Sequence, residues 1–441
     1  MNVSARYQPR GRTARDIAVS VEAAVDAGQL LPGAALATVR SLAEELGVSP
    51  TTVAAAYRTL RQRGIVAGHG RRGTRVCARP PLPAHPSDVL PPGARDLASG
   101  NPDPALLPDL GPALGRVPRR AGLYGEPPQL EALLDRARTE MAEDGIPCQR
   151  MTVVSGALDG VERVLASHLA PGDAVAVEDP GYPGVLDLVP AMGLVPVPVP
   201  VDDLGAVPEN LEAALRAGAR AVVLTPRAQN PTGAAFDQAR ARDLGAVLGR
   251  HAGVLTIEDD HAGAVSGAQA FSLAGAVERW AVVRSTSKWL GPDLRLAVVA
   301  ADPTTAARVE GRQRLGAGWV SHLLQHLVAD LWSRRSTATL LARATRVYAR
   351  RRVALLEALS GRGVEATGGS GLNIWVPVSE EQPVVAGLLA RGWAVAAGER
   401  FRLGTPPAIR ITAATLGTEE AEDLADEVAA VLRPSRTTRL A

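Results

Sequence analysis

The sequence predicts an α/β protein in two modules, a small helical N-terminal module and a larger domain of alternating strands and helices. Three observations carry this. From about Asp96 onward, short β-rich runs (Ala174–Glu178, Ala219–Thr225, Gly253–Glu258, Ala281–Arg284) alternate with helical stretches, the pattern of a mostly parallel sheet covered by helices. Residues 80–93 hold six prolines, so this stretch is a semi-rigid spacer rather than a helix. The charge is also uneven. Residues 1–80 contain twelve arginines against five acidic residues, a balance of +7, while the net charge of +2 leaves the remainder at −5. A basic module on a mildly acidic body points to a polyanion as partner of the first part alone.

Composition sets the bounds. A chain of 441 residues, 46% hydrophobic and 21% charged, can bury two or three domain cores. The two cysteines, Cys77 and Cys148, suggest no secreted disulfide framework. No apolar run reaches membrane-spanning length, and Met1–Asp16 lacks an apolar signal core. A soluble cytoplasmic protein is expected.

In the N-terminal module, Val39, Leu42, Ala43 and Leu46 follow the helical i, i+3, i+4, i+7 rule. Thr38 is placed to cap that helix and Gly47 to end it. Ser49 can cap a second helix with Pro50 at its first position. There Val53, Tyr57 and Leu60 form the buried stripe, leaving Thr51, Thr52 and Arg58 outside. Ile65-Val66, a Gly/Arg-rich tip from Gly68 to Gly73, and Thr74-Arg75-Val76 then read as a small hairpin. Two helices joined by a short turn and followed by such a wing predict a winged helix-turn-helix.

In the larger domain, polar motifs fall at the carboxyl ends of the predicted strands, where open α/β sheets gather ligands. Ser155-Gly156-Ala157-Leu158 opens a helix after Met151–Val154, and such a turn aims backbone N–H groups at an anion. Asp179-Pro180-Gly181-Tyr182, Asn230-Pro231-Thr232-Gly233 and Glu258-Asp259-Asp260-His261 end three further strands. Lys288, in Arg284-Ser285-Thr286-Ser287-Lys288, is the one lysine among 48 basic residues. Arginine serves equally well for charge but essentially never loses its proton, whereas an amine can become a nucleophile toward a carbonyl. A metal site at Asp259, Asp260 and His261 lacks a convincing further ligand. His322 and His326 lack the glutamate of a zincin and read as ordinary helix residues. No metal is expected.

These motifs, in this order over some 300 residues, resemble the aspartate-aminotransferase-like, fold type I pyridoxal-phosphate family. The resemblance implies a large cofactor-binding domain (94–320) and a C-terminal helix with a small α/β subdomain (321–441). It makes Lys288 the Schiff-base lysine and places Ser285 and Arg295 on the cofactor phosphate, with Ser287 beside them. The amides of Gly156, Ala157 and Leu158 join that phosphate site. Tyr182 would stack on the pyridine ring and Asn230 would hydrogen-bond its 3′-oxygen. Asp259, or Asp260 if the register slips by one, would face the ring nitrogen and keep it protonated. His261 stands where the family has a tyrosine that donates to the 3′-oxygen. Tyr124 resembles the tyrosine that reaches a neighbouring subunit's phosphate, which implies a homodimer. Arg410, with Arg402 as the alternative, would receive a ligand carboxylate.

Residues 1–79 resemble a GntR-type winged helix, in which Arg40, Ser49, Thr51, Thr52 and Arg58 face DNA and Arg71 and Arg72 lie on the wing. This fusion is the architecture of the MocR family of bacterial regulators. It implies a transcriptional regulator that binds an operator as double-stranded DNA and senses pyridoxal 5′-phosphate, or an amino compound, at Lys288. The alternatives are an aminotransferase carrying a DNA-binding appendage and a scaffold that binds no cofactor.

Overall fold

The computed structural model describes residues 9–27, 29–31, 33–62, 65–68, 73–76, 90–120 and 122–433. The chain divides into two compact units, one built mainly on the first 87 residues and the other on most of the rest. Each unit has its own core.

In the first unit, α1 (Ala14–Asp26) precedes the two predicted helices, α2 (Val39–Leu46) and α3 (Pro50–Gln62). Helix α1 was not foreseen, although Thr13 and Asp16 close a reciprocal capping box at its start. Ile17, Val21 and Ala24 put it into the core. Thr38 caps α2 by accepting the amide of Ser41, and Gly47 ends it in the left-handed region. Ser49 caps α3 by accepting the amide of Thr52. The expected stripe of Val53, Tyr57 and Leu60 is buried, and the Tyr57 hydroxyl donates to the carbonyl of Ala37 at 2.8 Å. Strands β1 (Val66–Gly68) and β2 (Thr74–Val76) pair antiparallel as Val66↔Val76 and Gly68↔Thr74, forming the hairpin. Its tip, including Arg71 and Arg72, lies outside the described residues, as does most of the proline-rich stretch.

The second unit opens with β3 (Arg95–Asp96) and is built on an eight-stranded sheet. Its strands are β4 (Met151–Val154), β5 (Ala174–Asp179), β6 (Val195–Asp202), β7 (Gly205–Ala206), β8 (Ala219–Leu224), β9 (Leu255–Asp260), β10 (Arg279–Ser285) and β11 (Ala297–Ala301). They run in the order β4-β11-β10-β9-β8-β5-β6-β7. β8, β9 and β10 are parallel, while β11 runs antiparallel to both β10 and β4. The central strands are buried along nearly their whole length because both faces are covered, and the polar groups they carry fall mainly at their carboxyl ends. The register aligns Ser285 with Ala297 and Ala297 with Val154. The carboxyl ends of β4 and β10 and the start of β11 therefore lie at one edge, and Arg284↔Asp260 brings the end of β9 to it as well.

A second core follows the long helix Arg335–Ser360. It contains the three-stranded sheet of β12 (Asn373–Pro377), β15 (Ala408–Thr412) and β14 (Ala396–Ala397), while β13 (Trp393–Ala394) pairs with β3. This is the small α/β subdomain the sequence led us to expect.

Candidate functional site

The shared edge of β4, β10 and β11 gathers anion-binding groups. Gly156 has φ +101°, a left-handed conformation that favours glycine. A Cβ added there would lie 3.0 Å from a terminal nitrogen of Arg295. The guanidinium of Arg295 has no hydrogen-bond or ion-pair partner among the described residues. Directly after Gly156, the helix Ala157–His168 begins, so Ala157 and Leu158 contribute its first amides. At the end of β10 the hydroxyls of Ser285 and Ser287 lie 3.0 Å apart, and the amide of Ser287 donates to Ser285 Oγ. Two hydroxyls, unpaired helix amides and a free guanidinium suit a phosphate.

Beside this edge lies a cavity whose lining includes Tyr182, Asn230, His261, Lys288 and Arg410. Lys288 Nζ donates to the carbonyl of Gly100 at 2.7 Å. Burial and the nearby Arg410 cation pull the lysine down to about 8, against a smaller opposing pull from Asp259. Arg410 is 5% exposed and lies over the Phe401 ring at 4.7 Å. Its terminal nitrogens donate to Asn230 Oδ1 and to the carbonyl of Ala98, and its buried Nε has no partner. Burial and Arg400 lower it to about 10. No carboxylate forms an ion pair with Arg410 among the described residues, although the Asp96 charge bears on it. Arg402, the alternative, is ion-paired with Glu381 at 2.8 Å and does not line the cavity.

The end of β9 places the two adjacent aspartates in different surroundings. Asp260 is gripped by two arginines: Arg227 holds both of its carboxylate oxygens at 2.9 Å, and Arg284 Nε holds Oδ2 at 2.8 Å. Asp259 points the other way, as alternation along a strand requires, and its Oδ1 is buried without a partner. An unsatisfied carboxylate oxygen costs about 1–3 kcal/mol or more unless something donates to it. Burial, then Asp260 and Glu178, push the Asp259 carboxyl up to about 7, with Lys288 opposing. Of the two adjacent carboxylates, Asp259 is the one with an oxygen left free to accept. His261 is pulled down to about 4 by burial and the Lys288 charge, so it is a neutral imidazole near pH 7.

The ring of Tyr182 and the side chain of Leu158 both lie against Gly184, where an added Cβ would fall 2.7 Å from the ring and 2.8 Å from Leu158. Tyr124 lies apart from the cavity, 94% exposed and edge-on to Trp319 at 5.7 Å. Two groups escaped sequence reasoning. Asn373 donates to Asn230 Oδ1 at 3.2 Å, and Gly100 receives Lys288. The signals for them were the turn composition of Ser99-Gly100-Asn101-Pro102 and the glycine-rich run Gly368–Gly371. No group of metal-ligating side chains occurs among the described residues.

In the first unit, Arg40, Ser49, Thr51 and Arg58 are exposed and Thr52 is half-buried. Ser49 Oγ lies 2.7 Å from Thr51 Oγ1 and 2.8 Å from Thr52 Oγ1, so three hydroxyls cluster at the start of α3.

Comparison with known proteins accords with both units. The model of the bacterial regulatory proteins of the gntR family matches residues 13–76, and that of aminotransferase class I and II matches 96–428. The chain is 40% identical over 422 residues to the vitamin B6 salvage pathway transcriptional repressor PtsJ of Salmonella typhimurium, covering 95% of this chain and 98% of that one. The chain belongs to the MocR family of GntR-type regulators. The probable rhizopine catabolism regulatory protein MocR of Rhizobium meliloti is 28% identical, covering 76% and 75% of the two chains. Among solved structures, the kynurenine aminotransferase of Pyrococcus horikoshii superposes with a TM-score of 0.71 at 21% identity, covering 77% and 91%. That likeness shows the fold. The cofactor of this family's larger domain is pyridoxal 5′-phosphate, and the residues at the strand ends fit it: a free guanidinium and glycine turn for its phosphate, a buried unpartnered carboxylate for its ring nitrogen, and an amine.

Proposed function

We propose that this MocR-type regulator holds pyridoxal 5′-phosphate on Lys288 and reads the cofactor, or an amino compound that reacts with it, to adjust its grip on an operator. The observation that carries the reading is the buried, unpartnered Oδ1 of Asp259 in a site that also holds a lysine close to neutrality. When bound, the cofactor supplies a reactive aldehyde and an electron-withdrawing ring. Lys288 offers the amine, Asp259 holds the proton on the ring nitrogen, and Tyr182 covers a ring face. Asn230 and His261 meet the 3′-oxygen. Ser285, Ser287, Arg295 and the amides from Gly156 to Leu158 hold the phosphate. Arg410 takes a ligand carboxylate by exchanging its hold on Asn230 and Ala98 for a bidentate fork. Tyr124, exposed on one chain, reaches the phosphate of a second copy in a homodimer. Arg40, Ser49, Thr51, Thr52, Arg58 and the wing arginines Arg71 and Arg72 contact DNA. A cytoplasmic protein accords with this reading, and no described helix is long and apolar enough to cross a membrane.

An effector changes DNA affinity only if it binds one disposition of the dimer better than another. The test measures binding to the protein's own upstream DNA with and without pyridoxal 5′-phosphate and candidate amines, alongside multiple-turnover amino transfer to a keto acid. Cofactor-dependent DNA binding with negligible turnover is expected. Robust turnover without specific DNA binding would establish the aminotransferase reading instead.

A further inference from the structure

We infer that Arg227 and Arg284 are positioning residues that act through Asp260 to keep Asp259 usable as the partner of the cofactor's ring nitrogen. The inference rests on the cofactor reading above. Asp259 and Asp260 are adjacent buried carboxylates at the end of β9, 3% and 2% exposed. Two such charges side by side in a poorly solvated interior oppose each other's ionisation. The two arginines relieve the conflict. Arg227 reaches Asp260 through Nε and a terminal nitrogen, and Arg284, fully buried, reaches it through Nε. Both also reach one further carboxylate, Asp144: Arg227 through the same terminal nitrogen that holds Asp260, at 3.0 Å, and Arg284 through a terminal nitrogen, at 2.5 Å. Asp144 caps the C-terminus of the helix Glu131–Glu143, so the end of β9 is tied to that helix by a cluster of two arginines and two aspartates, with Glu140 of the same helix 3.9 Å from Arg284.

Burial alone would raise the Asp260 carboxyl, but Arg284 and Arg227 outweigh it and hold Asp260 ionised well below the ordinary range. The groups bearing on Asp259 are Asp260 on its own strand, Glu178 at the end of β5, and Lys288 beyond β10. Glu178 is itself buried and pushed up to about 7 by burial, so Asp260 is the firmly charged neighbour. Removing an arginine leaves one more uncompensated negative charge beside Asp259 and favours its protonated form, which no longer offers the negative charge that keeps a ring nitrogen protonated. Removing the Asp260 charge does the opposite.

The test titrates the full-length protein with pyridoxal 5′-phosphate from pH 6 to 9, following the visible absorbance, for wild type, Arg227→Gln, Asp260→Asn and the double variant. Arg227→Gln is expected to weaken cofactor binding by roughly tenfold near pH 7, with the acid limb moved to higher pH by about one unit. Asp260→Asn moves that limb to lower pH, and the double variant returns toward wild type. If Arg227→Gln fails to fold, the opposite-sign shift in Asp260→Asn still decides. Equal, pH-independent losses in all three variants, or an Asp260→Asn limb unmoved from wild type, would overturn the inference and leave the arginines as packing alone. A wild-type protein that gives no visible band with the cofactor would instead refute the cofactor reading itself.

Discussion

At the scale of single residues, the site is recognised by what its groups lack. Asp259 and Asp260 are chemically identical neighbours, and the sequence Glu-Asp-Asp-His left the register open between them. Asp260 already has two arginines, while Asp259 has a buried oxygen with none. The same logic separates Arg410, which has no carboxylate, from Arg402, which has Glu381. The family resemblance favoured Asp259 and Arg410, but residue type alone carries no contrast in a chain with 47 arginines. Lys288 was legible for the converse reason, as the one lysine.

Asp259 also gives a pH prediction. Its folded value, about 7, lies above its ordinary one. Its contribution to stability is therefore present below the ordinary carboxylate range and is lost as pH rises through about 7. Asp259→Asn should raise the unfolding midpoint of the cofactor-free protein at pH 8, by an amount equivalent to roughly 1–3 kcal/mol. The gain should fade toward pH 4, while affinity for pyridoxal 5′-phosphate falls at least tenfold. Thermal melts at the two pH values, with an absorbance titration, check both halves. In the wild type, cofactor capture should weaken as pH drops through about 8, where Lys288 gains its proton, and weaken further below about 7, where Asp259 gains one.

At the scale of elements, the α3 cap, the hairpin and the strand-end turns were readable because their residues act locally. Ser49 caps α3, Gly47 ends α2 in a left-handed conformation, and Gly156 opens the phosphate turn. Helix α1 went unread because its capping box and its Ile17, Val21 and Ala24 stripe lie within a stretch judged by charge alone. The inner contacts of Asn373 and Gly100 went unread because they bring together positions far apart in sequence, 143 residues in the case of Asn373 and Asn230.

Two element-scale variants follow. Gly156→Ala should strain the turn by about 1–3 kcal/mol and press on Arg295, cutting cofactor affinity at least tenfold with the far-ultraviolet spectrum unchanged. Arg58→Gln should weaken operator binding and lower the slope of log affinity against log salt by about 1, as measured by fluorescence anisotropy at several salt concentrations. An unchanged slope would remove Arg58 from the DNA face.

At the scale of the whole molecule, the uneven charge and the proline-rich stretch already distinguished a basic reader from an acidic ligand-binding body. The alternation of strands and helices gave the body's class, and its register explains why motifs more than a hundred residues apart meet at one edge. Val154, Ser285 and Ala297 align across three strands, and the chain's own groups proposed to grip a phosphate, Ser285 among them, lie at or near this line. The effector and the operator are not readable in this way, because each is defined by a small number of side chains presented on a common scaffold.

The decisive measurement uses the scarcity of amines in this chain. Lys288 is its one lysine, so the amino terminus is the one other primary amine it carries. The full-length protein is incubated with pyridoxal 5′-phosphate, reduced with borohydride, digested and mapped by mass spectrometry. A single pyridoxyl adduct on the peptide that contains Lys288, absent from Lys288→Ala, is expected. An adduct at the amino terminus alone, or none on that peptide while the cofactor remains bound, would contradict the assignment of the larger domain.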